Sequence, residues 1–398
     1  MISHFTCSKK EIKTVQDIDI QYFSALKQIK KSVWNQGAPP NDLFLQYDYL
    51  SVLENFPPIN MSFAYIVFFA KKKSIGVAYF QISPFDASSS IKDDSPSKKW
   101  IANQFKFNAL VIGNTLLTGE HGYYFEPSVA KEIQENLLLE SIKKVSAECE
   151  KEGRKTIFQL AKDFYKKQDF LEKDNRLAVP FSPSMILNIR ENWKIFDDYL
   201  NDMLTKYRTR AKRAEKKKEG LKMLELDLQS IENQEDTMYS LYKKVADGAD
   251  FNYTFIHPNY FSAMKKTFGE DFRILGYYEQ NRLVGYCTTL LNFDELETGF
   301  LGFENAYNVS HQIYLNFLYD MVKIGIENQV KKIVFSRTAM EIKSSVGAEP
   351  HIVFTYLKHK NKIVNYLLPW VEKRISPSQK WEQRHPFKEN NRENNRES

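Results

Sequence analysis

Cysteine is scarce: Cys7, Cys149 and Cys287 are the three in 398 residues, too few and too scattered for a disulfide framework or a zinc site. Seven histidines include no His-x-x-x-His pair, so we expect no metal centre. Long apolar runs are missing too. Phe63–Ala70 has eight residues, far short of the ~20 that cross a bilayer. Met1–Gln16 is polar, without the basic start and apolar run of a secretory leader. The expectation is a soluble, cytoplasmic protein with no integral membrane segment. Three glycine motifs are also absent: Gly-x-x-x-x-Gly-Lys-Ser/Thr, Gly-x-Gly-x-x-Gly and Gly-x-Ser-x-Gly. Their absence argues against ATPase, dinucleotide-dependent and serine-hydrolase chemistry. Charge of one sign is nearly balanced, 56 basic against 50 acidic residues, which tolerates anionic partners without demanding nucleic acid.

What the chain has is aromatic bulk: 29 Phe, 22 Tyr and 5 Trp. That composition excludes a mainly disordered or collagen-like chain. At roughly 100–200 residues per domain the length suggests two or three domains. Two stretches stand out as polar. Asp86–Lys99, rich in serine, reads as a loop. Ser376–Ser398, ending in two copies of Asn-Asn-Arg-Glu, reads as a disordered tail, because it offers little apolar surface to offset ordering entropy.

Between them the segments repeat an order. Phe63–Ala70 and Ile75–Ser83 read as a hairpin, Phe107–Ile112 as a strand, Val129–Glu150 as an amphipathic helix, and Thr156–Leu160 as a strand. Phe272–Tyr278 and Leu283–Asn292 make the second hairpin, followed by strand Thr298–Phe303, helix Gln312–Glu327 and strand Ile333–Ser336. Two echoes support a duplication: Ile75-Gly76-Val77-Ala78 with Val284-Gly285-Tyr286-Cys287, and Lys155-Thr156-Ile157-Phe158 with Lys332-Ile333-Val334-Phe335. The expected division is an N-terminal lobe over 1–185, a C-terminal lobe over 186–375 with a basic helix at 195–219, and the tail 376–398.

Candidate site residues come from position and charge. Arg337 follows a buried strand, where ligands of α/β layers are met, and would engage a phosphate or carboxylate, with Thr338 beside it and Lys343 as a second contact. Eight of the thirteen residues Lys206–Lys218 are basic. On a helix, Lys206, Arg210, Arg213 and Lys217 share a stripe; with Arg208 they would form a platform for a polyanion such as tRNA, the 3′-phosphate end of CoA, or an anionic membrane surface. Unpaired, the same stripe is only a solvated helix. An amine nucleophile must lose a proton, and Glu304, at a strand end, is the first candidate base, with Glu297 weaker. Glu120 and His121 lie between Gly119 and Gly122, where backbone can approach a ligand closely. Backbone N–H groups around Phe303 would hold an oxyanion, and Tyr307 or Tyr314 would protonate a leaving thiolate.

Three segments carry a resemblance. Arg337-Thr338-Ala339-x-Glu341-x-Lys343-x-x-x-Gly347-Ala348-x-Pro350 resembles the C-terminal signature of bacterial GNAT-type acyltransferases related to the Fem aminoacyltransferases. Ile112–Gly122 looks like that family's Gly-Asn…Thr-Gly-x-x-Gly segment, and Lys206–Arg213 like its basic helix. The likeness runs over roughly residues 60–370. It implies an α+β fold of two tandem GNAT-like lobes, each a mixed, mainly antiparallel sheet flanked by helices. It also implies transfer of an acyl or aminoacyl group to an amine on a small molecule, lipid or cell-envelope precursor, with acyl-CoA as co-substrate or aminoacyl-tRNA as donor. Asn305–Ile313 departs from the usual acetyl-CoA loop in having no glycine, as Fem-type enzymes also do. The competing expectation is a non-catalytic GNAT-like module that binds an anionic ligand.

Overall fold

The structure, a computed structural model, describes residues 17–86, 106–248, 254–375 and 381–388. In chain order the strands are β1 (Ile18–Phe23), β2 (Ser62–Ala70), β3 (Lys73–Asp86), β4 (Lys106–Ile112), β5 (Tyr123–Phe125), β6 (Thr156–Phe164), β7 (Leu177–Asn188), β8 (Lys222–Glu225), β9 (Phe272–Glu279), β10 (Arg282–Asn292), β11 (Glu295–Phe303), β12 (Lys332–Val334) and β13 (Glu349–His359). They join in one sheet of order β1-β2-β3-β4-β6-β13-β7-β12-β11-β10-β9-β8, with β5 on β3.

The expected repeat is visible in the register. In each half an antiparallel hairpin and a third strand precede a helix, Lys131–Lys151 or Ile313–Glu327, that crosses to a parallel strand. β4 runs parallel to β6, and β11 parallel to β12. Even the hairpin irregularities match. Ile75 is the extra residue opposite Phe68/Phe69, and Val284 is the extra residue opposite Tyr277/Tyr278. The glycine that follows each bulge is pressed by its neighbours. A Cβ on Gly76 would lie 2.7 Å from the Tyr124 carbonyl oxygen, and one on Gly285 3.0 Å from the Phe303 Cβ. Both echoes in the sequence therefore mark close backbone approach.

The lobes exchange strands. β7, which follows β6 in sequence, pairs with β12; β13, which follows β12, pairs with β6; β7 and β13 pair with each other at the centre. The boundary expected at 185/186 falls inside β7. Period-two alternation along β2 separates the cores. Ala64, Ile66 and Phe68 pack with helix Lys131–Lys151, while Phe63, Tyr65 and Val67 join a cluster that continues into the second half through Tyr260, Phe261 and Tyr286. A third cluster lies under helices Ile313–Glu327 and Thr205–Lys217. The halves thus share both a sheet and a core.

Other expectations need correction or fall elsewhere. The basic segment forms two helices, Phe196–Asp202 and Thr205–Lys217, parted where the Leu204 amide donates to the Pro386 carbonyl (2.8 Å). That carbonyl belongs to the supposed tail. Residues 381–388 are docked: Phe387, 4% exposed, packs against Trp193 and Tyr199, and a Cβ on Gly347 would strike its ring. Two aromatics, Trp381 and Phe387, anchor a segment poor in aliphatics. The rest of that tail lies outside the described residues, as does the loop expected over Asp86–Lys99 except for Asp86, which ends β3. Among the described residues no helix is long and apolar enough to cross a membrane.

Candidate functional site between the lobes

Past Ile112 the chain leaves β4 and folds back on itself. Gly113 and Gly119 have φ of 123° and 130°, and a Cβ on Gly122 would lie 2.8 Å from the Gly113 nitrogen, so glycine is required at both ends of this loop. Buried amides hold it. Gln81 Oε1 accepts from the Thr115 amide (2.9 Å) and hydroxyl (2.6 Å), while Asn114 donates to the Tyr49 hydroxyl (3.1 Å).

A second loop follows β12. Ser336, Thr338 and Ala339 all have positive φ (61°, 68° and 46°), a run that non-glycine residues avoid at a cost of about 1–3 kcal/mol each. Lys343 holds it closed: its ammonium, buried at 5% exposure, donates to the carbonyls of Phe335 (2.5 Å) and Arg337 (2.6 Å). Burial lowers its pKa to about 7. The expectation that Lys343 offers a second anion contact is corrected by this inward position.

The two loops meet on Asp163, at the carboxyl end of β6 and itself at φ 65°. Its carboxylate is ion-paired with Lys162 and Arg337, and accepts from the Gly119 amide (3.3 Å). Burial opposes its ionisation, but the two cations hold the carboxyl below its ordinary range. Thr118 and Ser336 hydroxyls lie 2.8 Å apart beside it. Arg337, expected to await a ligand anion, engages an internal one.

Next to this contact lies a second polar group. His121 Nδ1 is 2.9 Å from Asp42 Oδ2, and the Asp42 carboxylate also accepts from the Phe44 amide (3.0 Å). Asn292 of β10 accepts from the neighbouring Leu43 amide (2.8 Å), tying this turn to the second lobe. Burial works against charging the imidazole, but the Asp42 carboxylate raises it to about 9. Glu297 of β11 is within electrostatic reach of both. It is 6% exposed, and among the described residues its carboxylate has no hydrogen-bond partner. Burial pushes its pKa up to about 8, with the His121 charge pulling the other way. Burial and Glu297 together push the Tyr165 phenol up.

Glu297 also marks where the sheet opens. It pairs with Val334, the last residue of β12, and the Thr298 hydroxyl caps the Val334 carbonyl (3.0 Å). Beyond that, Phe335 and Ser336 bond to Met185 of β7, while β11 continues along β10. The parallel pair separates there.

The first-choice base stands elsewhere. Glu304 lies seven residues beyond Glu297, roughly 23 Å along an extended strand. Its carboxylate accepts from Arg282 (2.8 Å), and its amide donates to the Val284 carbonyl (3.0 Å), so that N–H is not free for an oxyanion. Tyr307 joins the same outer network, donating to Glu279 (2.6 Å) and accepting from Arg282 (2.7 Å). Tyr314 is packed against Phe303. Glu120 accepts from the Tyr165 amide (2.7 Å) on the loop's exposed side. Five residues that meet at the lobe contact escaped the sequence reading: Asp42, Lys162, Asp163, Tyr165 and Asn292; Thr118 and Ser336 lay in the two motif segments but were given no role. Only the positional rule for strand ends could have found Lys162 and Asp163.

The basic helix borders a cavity of about 720 Å³, lined by Lys206, Tyr207, Arg210, Ala339–Ile342, Trp381 and Arg384. Tyr207, Ala211 and Ala214 face the core, so the basic side chains turn outward. Arg210 points to the cavity; Arg208 and Arg213 are not among its lining, nor is Thr338. Arg384 is ion-paired with Glu341 (2.5 Å), whereas Lys206 and Arg210 have no ion pair among the described residues. Among the described residues no three His, Cys, Asp or Glu side chains are grouped to hold a metal.

No family model and no curated protein matches the sequence. Two solved structures are similar over nearly their whole length. One is FemX, with a TM-score of 0.52 and 12% identity, covering 88% of this chain and 99% of that one. The other is a tandem GNAT protein from the clavulanic acid biosynthesis pathway, with a TM-score of 0.50 and 10% identity, covering 86% and 99%. The chain has the Fem-like tandem GNAT fold, two mixed sheets flanked by helices and joined into one.

Proposed function

We propose that this protein transfers an acyl or aminoacyl group from an activated carrier to an amine, with Glu297 as the base. One observation carries the reading: a buried carboxylate with no hydrogen-bond partner among the described residues sits where β11 parts from β12, beside the His121–Asp42 pair. An ordinary carboxylate is a poor acceptor for a proton from an ammonium of pKa ~10.4; one raised to about 8 is better matched. Glu297 takes one proton from the ammonium and releases it to solvent, and the freed amine nitrogen attacks the carbonyl carbon of the carrier's thioester or ester. A C–N bond forms, the C–S or C–O bond breaks, and the second proton, shed by the attacking nitrogen, passes through Glu297 to the leaving sulfur or oxygen. The cavity beside Lys206 and Arg210 suits the phosphate-bearing part of such a carrier, acyl-CoA or aminoacyl-tRNA. The acceptor is an amine on a small molecule, lipid or cell-envelope precursor.

A second reading is favoured by the same cavity. This cavity borders the cations and not Glu297, which is what a non-catalytic module for an anionic ligand needs. Single-turnover transfer assays with acyl-CoAs and aminoacyl-tRNAs, run beside thermal-shift titrations, separate the two. Transfer that Glu297→Gln abolishes while the shift persists supports the enzyme. A shift without transfer from any carrier supports the module.

A further inference from the structure

We infer that the C-terminal helix Lys362–Ile375 is an in-plane anchor for an anionic lipid surface, independent of any transfer chemistry. The helix follows β13 and is seated on the protein by Leu368 and Asn365. Leu368 is buried at 8% exposure, and Asn365 accepts from the His359 amide (2.7 Å) and donates to the Asn175 carbonyl (2.8 Å). These lie three apart, on one side of the helix.

The other side is apolar and faces outward. Ile363 is 73% exposed, Tyr366 85%, Leu367 48% and Trp370 60%, at the spacing i, i+3, i+4 and i+7 that makes one stripe; Val364 (40%) lies at its edge. A soluble helix normally buries such a stripe and presents its polar residues. Here the arrangement is inverted.

Charge and area decide the occupant. From Lys358 to Arg374 the sequence has five basic residues against one acid, Glu372; Lys358 and Lys360 are ion-paired with Asp174 and Glu150, which leaves Lys362, Lys373 and Arg374 as the basic surplus of the helix itself. Tyr and Trp beside lysines suit the boundary between headgroups and acyl chains. A stripe of five residues is much less than the roughly 20–30 per side that a stable pairing with a second copy needs. A bilayer, by contrast, buries a single helix face completely. Pro369, inside the helix, leaves the carbonyl four residues earlier without its N–H partner, a group headgroup water can satisfy.

The test is co-sedimentation of the full chain with vesicles of phosphatidylglycerol and phosphatidylcholine, compared with phosphatidylcholine alone. Wild type binds the anionic vesicles and is released by salt. The doubly substituted Ile363→Ser, Leu367→Ser protein, whose unchanged melting temperature shows that it folds, binds at least about tenfold more weakly. Equal binding by the two proteins, or no vesicle binding by wild type, overturns the inference. So does sedimentation equilibrium showing a wild-type dimer that the double substitution dissolves, because the stripe then belongs to a second copy.

Discussion

Arg337, from the loop after β12, is ion-paired with Asp163 at the end of β6, so the guanidinium of one lobe closes on the carboxylate of the other. Asp163 is fully buried and also pairs with Lys162, whose pKa burial lowers to about 8 even with this carboxylate beside it. Removing this carboxylate takes a buried counter-charge away from both cations. Asp163→Asn should cost about 3 kcal/mol in urea unfolding, the size expected when a buried pair loses one member. A loss under about 1 kcal/mol would show that the lobe contact does not depend on this pair.

Glu297 gives a prediction in pH. Its carboxyl is protonated below about 8 and becomes a base above it. kcat/KM for transfer should therefore climb tenfold per unit below that value and level off above it. Glu297→Gln should lower turnover by about 10²–10⁴ and flatten this limb. A variant that keeps both the rate and the limb assigns the base elsewhere.

How much of this could be read in advance follows from how local each signal is. The hairpins, both crossover helices and the parallel strands leave periodic patterns, and the glycines at 76 and 285 mark equivalent bulges. The loops at 112–122 and 336–339 were visible as motifs because glycine and odd backbone geometry leave a trace. Their meeting on Asp163 was not visible, since a single Lys-Asp in a strand has no periodicity to betray it. The exchange of β7 and β13 is a pairing between segments about 170 residues apart, and nothing local encodes it. Glu304 ranked above Glu297 because a strand end looks exposed to a cleft; the opening occurs mid-strand, where β12 stops after three residues.

Lys343 should make stability depend on pH in a definite direction. In the folded chain its ammonium loses a proton near pH 7, while the unfolded chain keeps it to about 10.5. Between these values the unfolded state binds the extra proton, so this group's contribution rises with pH and is lost as pH falls toward 7. Lys343→Met removes that slope. Compared with the variant, wild type should gain about 1 kcal/mol per pH unit from pH 7.5 to 9.5, read by denaturant midpoints. A constant difference between the two proteins would mean the amine stays charged among those carbonyls.

The cavity beside the basic helix separates two arginines three residues apart. Arg210 lines it and Arg213 does not. If the cavity receives the carrier's phosphates, Arg210→Ala should raise KM for the carrier about tenfold with little change in kcat, since a charge-assisted contact is worth about 1.5–3 kcal/mol. Arg213→Ala should change KM less than twofold beyond the general field, an effect that vanishes at high salt because exposed charges are screened. Lys206→Ala, on the turn before Arg210, should add to the Arg210 effect. Equal responses from Arg210 and Arg213 would indicate that the helix acts as a diffuse charge, with no carrier seated against Trp381.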